Sequence, residues 1–160
     1  MIYPTIETYL KEASGLTISD DRKHILDEVV TYIQSTDAPK LNFICTHNSR
    51  RSHLSQIWAQ TAANHFGIHV ETFSGGTEAT AFNTNAVNAI KEAGFEISQT
   101  EGDNPIYSVR YSDEAEPMLA YSKTFDDEIN PQSGFAAIMT CSEADAECPI
   151  VFGADVRIKL

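Results

Sequence analysis

An α/β layered fold with a mostly parallel sheet is the architecture the sequence predicts, because strand and helix signals alternate along it. Three observations carry that reading. A short apolar run at residues 41–44 leads into a polar loop and then into helically spaced apolar positions that stop at Gly67. A second strand-and-helix unit spans residues 70–94. Two more apolar runs, at residues 135–139 and 156–160, follow, the first again leading into a cysteine.

Residues 1–38 read as a helical preface. Ser19 can cap a helix whose apolar positions Ile25, Leu26, Val29, Val30 and Ile33 keep a 3.6-residue period, and Pro39 closes the segment. The run at 41–44 is a buried strand, and after the loop Leu54, Ile57, Trp58, Thr61, Ala62 and His65 hold helical spacing until Gly67. Residues 70–73 form the next strand, ending in Ser74-Gly75-Gly76. Residues 85–93 form a helix with Val87 and Ile90 on one face and Gly94 at its end. Between residues 105 and 125, Ile106, Val109 and Tyr111, then Met118, Leu119 and Tyr121, predict two strands of a surface hairpin turning around residues 113–117. A strand at 135–139 runs into a polar loop between Cys141 and Cys148, and residues 156–160 form the last strand.

The composition bounds the function. With 11 Lys+Arg against 23 Asp+Glu in 160 residues, the formal charge is −12, so no face gathers the cationic footprint of a nucleic-acid or anionic-membrane binder. Any oxyanion must be held by local donors against the sign of the whole protein. No apolar run approaches the ~18 residues of a membrane span, and the N-terminal segment lacks the features of a signal peptide, which points to a cytoplasmic protein. Three cysteines suit thiol chemistry better than structural pairing.

The loop Cys45-Thr46-His47-Asn48-Ser49-Arg50-Arg51-Ser52 carries the first chemistry. A loop between a strand end and a helix N-terminus turns backbone N–H groups inward and adds the positive end of the helix dipole. That environment binds a tetrahedral oxyanion and favours the thiolate of a cysteine at its mouth. Arg51 can clamp two oxygens in bidentate fashion, Ser52 can hydrogen-bond the sulfur, and Asn48 suits an unusual backbone conformation that holds the loop shape. The plain alternative is a buried strand-end cysteine beside solvated arginines. The second constellation is Cys141 and Cys148, seven positions apart on a polar segment. Their spacing allows a conditional disulfide, as in an attack-and-resolve pair, and lacks the second ligand pair of a zinc site. His53 and His65 are expected at the surface or in a groove, Trp58 in the core, Tyr107, Tyr111 and Tyr121 in cross-strand packing, and Asp126-Asp127-Glu128 in solvent.

Residues 43–52 and the segment Thr140-Cys141-Ser142 through Ala144, Asp145, Cys148 and Pro149 resemble the thioredoxin-coupled arsenate reductases, which share the low-molecular-weight protein tyrosine phosphatase fold. The resemblance runs from about residue 41 to 160. It implies a three-layer fold with a central four-stranded parallel sheet, to which this chain adds the N-terminal helical extension and the inserted β-hairpin. It also implies a single domain over 1–160, with a phosphatase-like catalytic domain at 39–160.

By that resemblance Cys45 attacks arsenate and Arg51 holds it, with Thr46, His47, Asn48, Ser49 and Arg50 completing the substrate loop and Ser52 assisting. Cys141 then attacks the thiol–arsenate adduct, arsenite leaves, Cys148 resolves a Cys141–Cys148 disulfide, and thioredoxin reduces it. His47 stands where the family usually has Gly, Arg50 where it often has Cys or a small residue, and Gln56 where relatives that use a potassium ion carry Glu. The family's general acid, an Asp followed by Pro soon after the last strand, would lie beyond Leu160, so the C-terminal part of the family's domain is expected to be missing here. A tyrosine phosphatase on the same loop, acting on phosphate, and a non-catalytic oxyanion-binding or redox-sensing module are the competing readings. A final strand without its following helix needs a cover, for which the helix around residues 25–33 is the first expectation and a homodimer the second.

Overall fold

The computed structural model describes residues 1–147 and 150–160. Helix α1 (Pro4–Ser14) starts with Pro at its first turn, where the missing N–H leaves no bond unmade, and buries Ile6 and Leu10. Helix α2 (Asp20–Ser35) is capped by Ser19, whose Oγ accepts from the Arg22 N–H at 3.4 Å, and carries Asp20 and Asp21 at the positive end of its dipole. Strand β1 (Lys40–Cys45), helix α3 (Arg51–Phe66), strand β2 (Glu71–Gly76) and helix α4 (Thr84–Glu92) follow. Gly67 ends α3 in the left-handed region (φ 67°), and Asn83 caps α4 by accepting from the Asn85 N–H at 3.0 Å. Strands β3 (Glu96–Gln99), β4 (Tyr107–Arg110) and β5 (Met118–Ala120) make an antiparallel sheet, and β6 (Phe135–Met139), helix α5 (Ser142–Glu147) and β7 (Ala154–Lys159) complete the order.

The central sheet has four strands in the order β2-β1-β6-β7, all pairs parallel. The two inner strands, β1 and β6, are buried along nearly their whole length, which is why β6 reads as an unbroken apolar run and β1 as one interrupted only by the buried Asn42. Cys45 pairs with Gly76 at the end of the β1–β2 ladder, so both strands deliver their loops to the same edge of the sheet.

One layer packs Tyr32, Leu41, Phe43, Ala136, Ile138 and Ile158 together, with Ile25, Val29 and Ile33 of α2 against them. Helix α2 is therefore the cover of the face that includes the last strand, and Tyr32 Oη donates to Asp155 Oδ2 at 3.3 Å just before that strand's centre. Helix α1 serves a different cluster. Ile6 and Leu10 pack with Ile57, Val87, Ile90 and Phe95 and with Tyr107 and Val109 of the antiparallel sheet.

Three expectations are corrected. The second strand does not stop before Ser74-Gly75-Gly76 but runs through them, because the chain passes another backbone there. A Cβ on Gly75 would lie 2.2 Å from Phe125 Cα, and one on Gly76 would lie 2.6 Å from the Thr46 carbonyl oxygen. The surface hairpin is three-stranded, since β3 pairs with β4 at Ile97↔Val109 and Ser98↔Ser108. The segment after Cys141 is the short helix α5 rather than a loop, while Cys148 and Pro149 lie outside the described residues.

Ile6 is fully buried on α1. Replacing it with Ala should lower stability by roughly 2–5 kcal/mol, the usual range for deleting a buried aliphatic side chain. Urea denaturation of Ile6→Ala checks this, and a loss near zero would mean that α1 is not part of the core.

Candidate active site

The loop between β1 and α3 is stitched down on every side by backbone bonds. The N–H groups of Thr77 and Glu78 donate to the carbonyls of Cys45 (3.1 Å) and Thr46 (2.9 Å), and the Asn83 N–H donates to that of Ser49 (2.9 Å). Residues 121–125 lie alongside the end of β2, where the Gly76 N–H donates to the Lys123 carbonyl and the Phe125 N–H to the Gly76 carbonyl, each at 2.9 Å. Gly76 leaves room for this crossing. From the same segment, the Lys123 N–H reaches Asn48 Oδ1 at 3.0 Å, and Ser122 Oγ donates to the His47 carbonyl at 2.8 Å.

Asn48 is fully buried with φ at 43°, the left-handed conformation its short amide tolerates. Because a backbone N–H can only donate, Lys123 fixes which end of the Asn48 amide is oxygen. The other end, Nδ2, must then donate to Ser52 Oγ, 2.8 Å away. Ser52 Oγ is thereby engaged as an acceptor and its own proton is free to point at Cys45 Sγ, 3.0 Å away. The chain of bonds delivers one hydroxyl donor to one sulfur in a buried setting.

Cys45 sits at the floor of a polar cavity of about 260 Å³ lined also by His47, Ser49, Arg50, Arg51, Thr80 and Asn83. Among the described residues no side chain caps α3 behind it, which leaves the start of the helix open to an anion. Arg51 lines the cavity and its Nη2 lies 3.5 Å from Glu143 Oε2 of α5, a half-exposed pair of little energetic weight that an incoming oxyanion can replace. Arg50 lines the same cavity. His47 Nε2 is 2.7 Å from Glu78 Oε1 at the rim.

The predicted residues thus divide into those that face the cavity and those that build it. Ser49 lines the cavity while its Oγ donates to the Ala81 carbonyl (2.7 Å). Asn48 and Ser52 are buried behind the loop and act on the sulfur. Thr46 turns toward the second cysteine, its Oγ1 3.7 Å from Cys141 Sγ. Cys45 and Cys141 belong to one buried cluster with Ala144 and Val151, so the start of α5 holds Cys141 against the loop after β1. Asp145 anchors that helix to β7 through Lys159 (2.9 Å) and Arg157 (2.5 Å); the hydrogen bond from Lys159 first, with the charge of Arg157, holds its carboxyl below the usual carboxylate range.

His53 is not at the surface or in a groove. It is fully buried on α3, with Nδ1 3.2 Å from Ser74 Oγ and its ring 4.1 Å from that of Phe82. Burial, aided by the charge of Lys123, pushes its pKa down to about 3, so the imidazole is neutral in the folded protein. Its i, i+4, i+8 spacing with Ile57 and Thr61 was the signal that could have placed it inside. Two other participants were not foreseen. Glu78 partners His47, and Lys123 is a buried lysine (4% exposed) whose ammonium lies 4.8 Å from the Tyr121 ring centre and whose pKa burial lowers to about 8.

A buried cysteine at the end of an inner strand of a four-stranded parallel sheet, sharing a polar cavity with two arginines and the start of a helix, is an arrangement suited to holding an oxyanion beside a thiol. Arsenate reductase 2 of Staphylococcus epidermidis is 31% identical over 115 residues, which cover 72% of this chain and 70% of that protein. An arsenate reductase of Bacillus licheniformis is 43% identical over 61 residues, covering 38% of this chain and 42% of that one. This chain belongs to the arsenate reductase family. The solved thioredoxin-dependent arsenate reductase of Corynebacterium glutamicum is 22% identical with a TM-score of 0.43, the match covering 88% of this chain and 57% of that one. No protein-family model matches the chain.

His53 gives the site a pH signature. The unfolded chain takes a proton on this imidazole near pH 6.5 and the folded one only near pH 3. Between those values the unfolded state binds more protons, so stability falls as pH is lowered through that window. At pH 5 the loss relative to pH 7 should be about 2 kcal/mol from this group. Urea melts of the wild type and His53→Phe at both pH values measure it, and an unchanged slope in the variant would clear His53 of the effect.

Proposed function

We propose that the protein reduces arsenate to arsenite by a three-cysteine relay. The observation that carries this reading is the placement of a second cysteine, Cys141, against the oxyanion loop, with its sulfur 3.7 Å from Thr46 Oγ1. Hydrolysis of a phosphate monoester on the same loop has no use for that thiol. The Cys45 thiolate attacks arsenic while Arg51, Arg50 and the free amides of α3 hold the oxyanion against the acidic character of the whole chain. Cys141 then attacks the Cys45 sulfur of the adduct. The S–As electron pair passes to arsenic, which leaves as arsenite, and a Cys45–Cys141 disulfide forms. Cys148 attacks Cys141, freeing the Cys45 thiolate and leaving a Cys141–Cys148 disulfide for a thioredoxin to reduce.

Among the described residues no helix is long and apolar enough to cross a membrane, and a cytoplasmic location, where reduced thioredoxin is maintained, fits the scheme. Gln56 Oε1 is buried without a hydrogen-bond partner among the described residues and would be a neutral oxygen ligand for a potassium ion, which would stiffen the helix beneath the loop.

In Cys148→Ser the relay should stop after one turnover, with Cys45 and Cys141 joined in a disulfide detectable by mass spectrometry of a digest. Cys45→Ser should abolish arsenite formation, because a serine hydroxyl at neutral pH is a far weaker nucleophile. Sustained turnover by Cys148→Ser with thioredoxin, or aryl phosphate hydrolysis in place of arsenite release, would refute the relay.

A further inference from the structure

We infer that Glu143 is a positioning residue that competes with the oxyanion for Arg51, so that seating the oxyanion unties the start of α5 and lets Cys141 move toward Cys45. The inference rests on reading the site as an arsenate reductase. Helix α5 is six residues long and is held from two sides. Toward β7, Asp145 pairs with Lys159 (2.9 Å) and Arg157 (2.5 Å), and Arg157 Nη2 also donates to the Asp145 carbonyl (2.5 Å). Toward the cavity, Glu143 Oε2 lies 3.5 Å from Arg51 Nη2, among the described residues the one ion pair between α5 and α3. The Asp145 contacts are mostly shielded from solvent, whereas the Glu143 and Arg51 side chains are 69% and 50% exposed. The second tether is therefore the weak, exchangeable one.

Arg51 lines the cavity with Cys45. Its guanidinium is a planar fork, and the N–H groups that meet a carboxylate cannot at the same time clamp an edge of a tetrahedral oxyanion. The oxyanion also meets Arg50 and the open start of α3, which Glu143 does not share. It therefore wins the guanidinium. Once it is seated, the Glu143 carboxylate faces an anion in place of a free cation, and attraction gives way to repulsion.

Cys141 stands two residues before Glu143, with its sulfur 3.7 Å from Thr46 Oγ1. A disulfide with Cys45 needs the two sulfurs at about 2.05 Å. The Cys141 sulfur must then leave Thr46, and the start of α5 must move with it. The contact that resists this movement is released by the same oxyanion whose adduct Cys141 attacks. The order of events, oxyanion first and disulfide second, is thus favoured by a single exchange of partners at Arg51.

The test uses the full, reduced chain with inorganic phosphate, a tetrahedral oxyanion that thiols do not reduce. Hydrogen exchange of residues 141–147, read by mass spectrometry, should quicken roughly 1.5- to 5-fold when the wild type is saturated with phosphate, the worth of one exposed ion pair. Glu143→Gln alters an exposed side chain and takes nothing from the core. It should exchange at the faster rate with or without phosphate. Its phosphate affinity, read by calorimetry, should rise by the same factor, because coupling between two sites is reciprocal. A wild-type α5 whose exchange ignores phosphate, or a Glu143→Gln variant with unchanged phosphate affinity, overturns the inference while the arsenate reading stands. A variant that binds phosphate more tightly but whose exchange still responds to it also overturns the inference, since the effect is then one of general charge. A wild-type protein that neither binds phosphate nor consumes arsenate overturns both.

Discussion

The N–H of Lys123 donates to Asn48 Oδ1, and the chemistry of the site depends on that bond. It joins residues 75 positions apart, fixes the orientation of a buried amide, and through Asn48 Nδ2 turns the Ser52 hydroxyl onto the Cys45 sulfur. Each link is dictated by donor and acceptor capacity rather than by proximity alone. The bond requires residues 121–125 to lie against the end of β2. Gly75 and Gly76 permit this because any side chain there would meet backbone at 2.6 Å or less. Two glycines in a strand, poor residues for a sheet by themselves, are thus part of the support of the Cys45 loop.

Charge is organised on two scales. The chain as a whole is strongly acidic, yet Arg50, Arg51 and the uncapped start of α3 converge on one cavity. Behind the loop the polarity is of another kind. His53 is kept neutral by burial, and the lowered pKa of Lys123 records the same exclusion of water. A dry back wall and a cationic front favour an anion held at the front, beside a sulfur that receives its hydroxyl donor from behind. Helix α5 links this to the second cysteine, because its Glu143 sits on Arg51 while Cys141 stands at its start.

Much of this was legible in the sequence where burial leaves a simple pattern. The inner strands show as apolar runs, Ser19 and Gly67 mark helix ends by their side-chain chemistry, and Asn48 stood out as the loop position fit for an unusual φ. Strand β3 was not legible, because its four residues are mostly exposed and carry no alternating apolar face. Helix α5, at six residues, is shorter than any periodic signal can resolve. His53 was misplaced because an imidazole reads as polar, whereas here a hydroxyl partner and a neutral ring let it be buried. Glu78 and Lys123 enter the site through contacts between distant segments, which no local pattern encodes.

The central claim is that the relay of bonds ending at Ser52 aims a hydroxyl donor at the Cys45 sulfur and makes that sulfur reactive. The rate of alkylation by iodoacetamide at pH 7, on protein carrying Cys141→Ser and Cys148→Ser so that Cys45 is the remaining cysteine, measures this with no substrate present. The account predicts a rate lowered about tenfold or more when Ser52→Ala is added, the size expected from one hydrogen bond to a charged group. An equal rate with and without the Ser52 hydroxyl would contradict it.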